Sequence, residues 1–216
     1  DLSLSPEQMR DLNIHVAPLT VTLDGKTYRE GLDIEPRAFY RLLEASDSLP
    51  LTSQPSPGDL ADIYRQLAGD PDILSIHISS GLSGTVNAAQ VAAGMVPEAN
   101  VTVVDTKTLS AAAGWQVEAA ARAARAGWSK ERIMGLLESV SAASDSLYTL
   151  KELKYLIHGG RIGHMKGLLA SLLNIKPLIG VEKEGGTYVQ MGQVRTFTRA
   201  IGANVEQMAK QHGQGS

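Results

Sequence analysis

The chain has 216 residues, 43% of them hydrophobic, and a formal net charge of -3. A balance this near neutral, with no clustered basic face, argues against a nucleic-acid partner. The absence of cysteine excludes disulfides and cysteine-ligated metals and fits a reducing cytoplasm. No uninterrupted apolar run reaches the ~18–20 residues of a membrane span. Residues 1–10 are polar, so neither stable membrane insertion nor a secretory leader is expected.

Ser5-Pro6-Glu7-Gln8 reads as a helix start, with serine as cap and proline in the first turn, and the helix ends near Leu12. Residues 14–19 read as a strand. Residues 20–28 read as a hairpin turning at Asp24-Gly25. The spacing of Phe39, Leu42 and Leu43 predicts a helix over 36–45. Residues 51–59 carry two prolines and a glycine, which argues for a surface loop in which Ser53 or Ser56 caps the next helix, over 59–67.

The stretch that organises the chain follows. Residues 73–78 alternate apolar side chains like a buried strand. Ser79-Ser80-Gly81-Leu82-Ser83-Gly84 breaks the pattern, and an alanine-rich helix runs from Thr85 to about Ala93. This layout places a ligand at the carboxyl end of a strand and the amino end of a helix. The first N–H groups of that helix lack partners within it and carry the positive end of its dipole. Ser83 is typed as the N-cap, and Gly81 and Gly84 allow close approach to the backbone. The chemistry implied is capture of a small anion by hydroxyls and amides. No Lys or Arg lies between Arg65 and Lys107, which favours a single carboxylate over a polyphosphate.

A second buried strand covers 101–105, followed by Thr106-Lys107-Thr108-Leu109-Ser110 and an alanine-rich helix to about Ala126. Ser129 caps a helix over 130–140. Strands alternating with helices imply a doubly wound, mostly parallel sheet. Alanines 88, 89, 92 and 111–113 allow close helix packing on it. Residues 141–146 read as a hinge, which divides the chain into an N-terminal α/β domain at 1–145 and a smaller, incomplete C-terminal α/β domain at 146–216 with a mixed sheet. In the latter, 147–150 is a short strand and 153–158 a helix stopped by Gly159-Gly160. Residues 167–173 form an apolar helix, 175–181 and 188–194 a hairpin, and 198–210 the last helix.

Several motifs are weak when weighed alone. Gly81-Leu82-Ser83-Gly84 is one place out of step with the G-x-S-x-G nucleophile elbow, and no P-loop or G-x-G-x-x-G is present. The histidines are His15, His77, His158, His164 and His212, none paired at metal-ligand spacing, so no metal is expected. His77 reads as a satisfied interior residue. Asp105 either orients a ligand or caps its turn, the cap being preferred. His158 and His164 flank a loop that either docks a phosphate or partner or simply ends a helix.

Four pieces taken together resemble the DegV family of fatty-acid-binding proteins. They are T-S-Q-P-S at 52–56, S-S-G-L-S-G-T at 79–85, G-G-R-I at 159–162 and N-I-K-P at 174–177. The resemblance covers nearly the whole chain. It implies two α/β domains around a long-chain fatty acid whose carboxylate meets the hydroxyls of Thr52 and Ser83, near the amide of Gly84. It further implies, in bacteria, presentation of the lipid to a fatty-acid kinase catalytic subunit that makes the acyl phosphate, with Arg161 in partner docking. No cofactor beyond the bound fatty acid and no catalytic residue are implied. The resemblance also implies a strand ahead of Asp1 and a later segment with a histidine near the carboxylate. The alternative reading is a serine hydrolase or acyltransferase using Ser83.

Overall fold

The computed structural model describes residues 4–162 and 175–213. The predicted apolar helix at 167–173, His164 and Asn174 of the N-I-K-P motif lie outside them.

The centre is a parallel pair, β4 (Ile73–His77) and β5 (Val101–Asp105), in register from Ile73↔Val101 to His77↔Asp105. Alternation sends successive β4 side chains to opposite faces. Ile73 packs with Leu60, Tyr64, Ala88, Ala89, Ala92 and Val96 of α3 (Pro57–Leu67), α4 (Thr85–Met95) and the residue that ends it. Leu74, Ile76 and Val104 pack instead with Ala120, Ala123, Ile133 and Leu137 of α5 (Ser110–Arg125) and α6 (Lys130–Ala143). This is the expected doubly wound layering. The alanines allow it: Ala89 and Ala92 are fully buried, so the helix backbone lies close to the sheet.

Two antiparallel sheets flank this centre. One has the order β2-β1-β3, from β1 (Thr20–Leu23), β2 (Lys26–Arg29) and β3 (Leu51–Ser53). The β1–β2 turn is at Asp24-Gly25 as expected, with φ of 51° and 75°, the double left-handed geometry of a type I′ hairpin. The other has the order β6-β7-β8, from β6 (Leu147–Tyr148), β7 (Lys176–Val181) and β8 (Tyr188–Val194); its described pairs are all antiparallel. The remaining helices are α1 (Pro6–Asp11), α2 (Pro36–Ala45), α7 (Lys154–His158) and α8 (Phe197–His212). No helix among the described residues is long and apolar enough to cross a membrane.

Three local expectations need correction. Residues 14–19 are not a strand; pairing begins at Thr20, where β2 and β3 both supply partners. Leu51–Ser53 is a strand rather than loop, because β1 leaves one edge open and the prolines fall just beyond the paired residues. The cap of α4 is Gly84, not Ser83, which stands one residue earlier. The cap of α3 is Ser56, in a reciprocal capping box with Asp59.

A buried polar chain crosses the first core. Tyr64 Oη and Ser75 Oγ lie 2.6 Å apart, and Ser75 Oγ and His77 Nε2 2.7 Å. His77 is thus the satisfied interior histidine that was expected. Burial lowers its pKa, the nearby Asp105 charge opposing. The unfolded chain then binds the proton more readily near pH 6.5, so stability falls as pH drops below that value. We expect chemical denaturation to show this loss in the wild type and not in His77→Gln. Tyr64→Phe is expected to cost about 1–2 kcal/mol, since it strips one partner from a buried hydroxyl.

Candidate functional site

The parallel register at His77↔Asp105 brings two strand-to-helix turns side by side. The first is residues 79–84. It folds around Ser79, which is fully buried. Its N–H donates to the Thr108 carbonyl at 2.8 Å, and its carbonyl accepts from the N–H groups of Leu82 and Ser83, both at 3.0 Å. Its Oγ accepts from Gly81 N–H at 3.1 Å.

Asp105 joins the two turns. One carboxylate oxygen accepts from the N–H groups of Ser80 and Lys107, both at 3.1 Å. The other accepts from Ser80 Oγ at 2.5 Å and pairs with the Lys107 ammonium at 3.0 Å. The preferred reading of Asp105 as a turn cap therefore holds, and it caps both turns. Burial pushes its carboxyl upward, but the hydrogen bonds from Ser80 and Lys107 outweigh this and hold it below the ordinary carboxylate range.

Ser83 is half-buried. Its Oγ accepts from Thr85 N–H at 3.2 Å and lies 2.7 Å from Thr85 Oγ1. With Thr85 donating in the second bond, the Ser83 O–H remains a donor for a ligand. Thr52 lies mid-strand in β3, opposite Val21. Both residues line one cavity of about 340 Å³, which is within the ~300–1,000 Å³ of small-molecule sites. Its apolar wall includes Leu19, Ile78, Leu82, Leu109 and Leu156, and its polar wall includes Gln54, Tyr155, His158, Arg161 and Tyr188.

Of the residues singled out from sequence, Thr52, Ser83 and Arg161 are therefore brought together. Gly84 stands behind them: a methyl there would sit 2.7 Å from the Gln54 amide nitrogen, which itself faces the cavity. The expectation of an anion held without a cation is corrected by Arg161. No cation is near in sequence, but α7 and its glycine turn carry one to the cavity wall, where Nη1 also donates to the Gly159 carbonyl. Gln54, Tyr155 and Tyr188 were not foreseen. Gln54 sits inside the T-S-Q-P-S motif, which was its only signal; the two tyrosines had none.

A cavity with apolar walls, two hydroxyls and one guanidinium at its side suits an amphiphilic anion. The sequence profile described as an uncharacterised protein of the DegV family matches residues 1–216. The chain belongs to the DegV family. A DegV domain-containing protein of Deinococcus radiodurans is 39% identical over 214 residues, covering 97% of this chain and 75% of that one. A second from the same organism is 37% identical over 204 residues, covering 94% and 70%. Among solved structures, a DegV family protein from Thermus thermophilus described by its fatty-acid binding superposes with a TM-score of 0.85 at 33% identity, covering 98% of this chain and 75% of that one. DegV of Bacillus subtilis, a fatty-acid-binding protein, gives 0.87 at 30%, covering 96% and 74%. The DegV fold thus agrees with the α/β architecture expected from the strand and helix pattern.

Asp105→Asn is expected to destabilise the protein by about 1–3 kcal/mol, as a charge-assisted network is weakened. Because the folded carboxyl is depressed, its contribution is complete above the unfolded pKa of about 3.9 and is lost as pH falls through the folded value. Urea titrations of both proteins between neutral pH and pH 3 check this: their stabilities should converge at the acid end.

Proposed function

We propose that this protein binds a long-chain fatty acid, with its carboxylate held by Thr52 Oγ1 and Ser83 Oγ near the Gly84 amide. It then presents the head group to a fatty-acid kinase subunit for phosphorylation to the acyl phosphate. The observation that carries this reading is the convergence of Thr52 and Ser83, from separate sheets, on one apolar-walled cavity. Its relatives in Thermus thermophilus and Bacillus subtilis, described as fatty-acid binding, support the same ligand class.

The energetics assign different tasks to the two ends of the ligand. Each buried CH₂ contributes about 0.8 kcal/mol, so a sixteen-carbon tail supplies roughly 10 kcal/mol before ordering costs. Each hydrogen bond to the charged head adds about 1.5–3 kcal/mol. The tail sets affinity and the head sets register. Arg161, which the resemblance offers as a docking contact for the kinase, also lines the cavity and there supplies positive charge to the bound anion.

An enzyme using Ser83 is the competing reading, and the local chemistry speaks against it. The hydrogen bonds of Ser83 Oγ are to Thr85, not to a histidine or carboxylate able to take its proton. The protein is read as a carrier without catalytic residues of its own, acting in the cytoplasm.

Ser83→Ala and Thr52→Ala should each reduce kinase-dependent acyl-phosphate formation more than lipid retention. Lipid extraction with mass spectrometry, run beside a phosphorylation assay, separates the two, and equal losses would contradict the assignment. A fluorophosphonate probe should leave Ser83 unlabelled; stoichiometric labelling would favour the enzyme.

A further inference from the structure

The turn that carries Ser83 is touched from outside by the tip of the β7–β8 hairpin. A methyl on Gly81 would lie 2.5 Å from the Gly185 carbonyl oxygen and 2.9 Å from that of Gly186. A methyl on Gly186 would land on Ser79 Oγ and sit 2.9 Å from Ser79 Cβ and 3.1 Å from Lys107 Cα. Gly186 is buried, with φ of 66°, so its backbone also disfavours any side chain. Two segments far apart in sequence thus meet backbone to backbone, through glycine on both sides.

The tip is rigidly held. The Glu182 carboxylate accepts from the N–H groups of Glu184, Gly185 and Thr187 at 2.8, 2.9 and 3.2 Å, and from Thr187 Oγ1 at 3.1 Å. At the base, the Lys183 ammonium donates to the carbonyls of Ser141 and Ala142 at 3.0 and 2.8 Å and pairs with Asp145 at 3.3 Å. The seam beneath, beside Lys107 and Val181, leaves a cleft of about 10 Å³, the space of one water.

Resting on the proposed carboxylate site, we infer that Gly186 is a positioning residue for Ser83. The hairpin tip holds Ser79 in place. The Ser79 carbonyl holds the Leu82 and Ser83 amides, and these set where the Ser83 hydroxyl stands. A side chain at 186 displaces Ser79 and loosens the donor that grips the head group, while the apolar wall that grips the tail stays in place.

The test compares wild type, Gly186→Ala, Glu182→Gln, the double variant Gly186→Ala/Ser79→Gly and, as a control, Gly202→Ala in α8, where a methyl meets nothing within 4 Å. Two quantities are read: amide hydrogen exchange at Leu82 and Ser83 without ligand, and the affinity ratio of palmitic acid to hexadecanol. In Gly186→Ala, exchange should quicken about tenfold or more. The acid-to-alcohol ratio should fall about tenfold, the worth of one hydrogen bond to a charged group, with hexadecanol affinity nearly unchanged. Glu182→Gln should move both in the same direction by less, and it carries the test should Gly186→Ala fail to fold. The double variant, relieved of the clash, should recover part of both losses. Unchanged exchange in Gly186→Ala and Glu182→Gln, or equal loss for acid and alcohol, overturns the inference. Faster exchange alongside a wild type that binds acid and alcohol alike supports the positioning role while refuting the carboxylate site itself.

Discussion

A partly buried carboxylate between two loops governs this end of the molecule. Asp105 ends its strand at the level of His77, where the parallel ladder stops and both chains turn into helices. A carboxylate taken out of water must be satisfied or protonated. Here Ser80 and Lys107 satisfy it from backbone and side chain alike. The two turns become one rigid lip. Ser79 adds a second tie, since its N–H reaches across to the Thr108 carbonyl. Everything proposed for the ligand depends on that lip holding still.

Electrostatically the site is mild. Lys107 is committed to Asp105, so it does not act as a bare cation toward the cavity. Positive character comes instead from the start of α4, from hydroxyl and amide donors, and from Arg161 across the cavity. A single carboxylate, with one charge to place, matches this modest field. The apolar residues that complete the wall match a hydrocarbon. The ligand class follows from both halves together, since either half alone would suit many molecules.

The hairpin adds a mechanical element. Ordinary side-chain packing tolerates small slips, because long side chains re-pack. Contact between two backbones has no such slack, and the glycines at 81 and 186 make that contact possible. The position of the turn is therefore set by a segment of a different sheet, and the site is shared between parts of the chain that are remote in sequence.

Much of this was legible in the residues themselves. Alternation over 73–77 and 101–105 marked both central strands, Asp24-Gly25 marked its hairpin, and the serine caps at 5, 56 and 129 marked helix starts, because each of these depends on neighbours only a few positions away. The motif residues Thr52 and Ser83 were legible too. What the linear order could not supply was distance. Leu51–Ser53 becomes a strand because β1 offers it an edge, and Arg161 faces the cavity because a helix and two glycines fold it there. Gly186 meets Ser79 because a hairpin reaches across to it. Propensity is a property of short segments, whereas edges, cavities and backbone contacts exist only once the segments have packed.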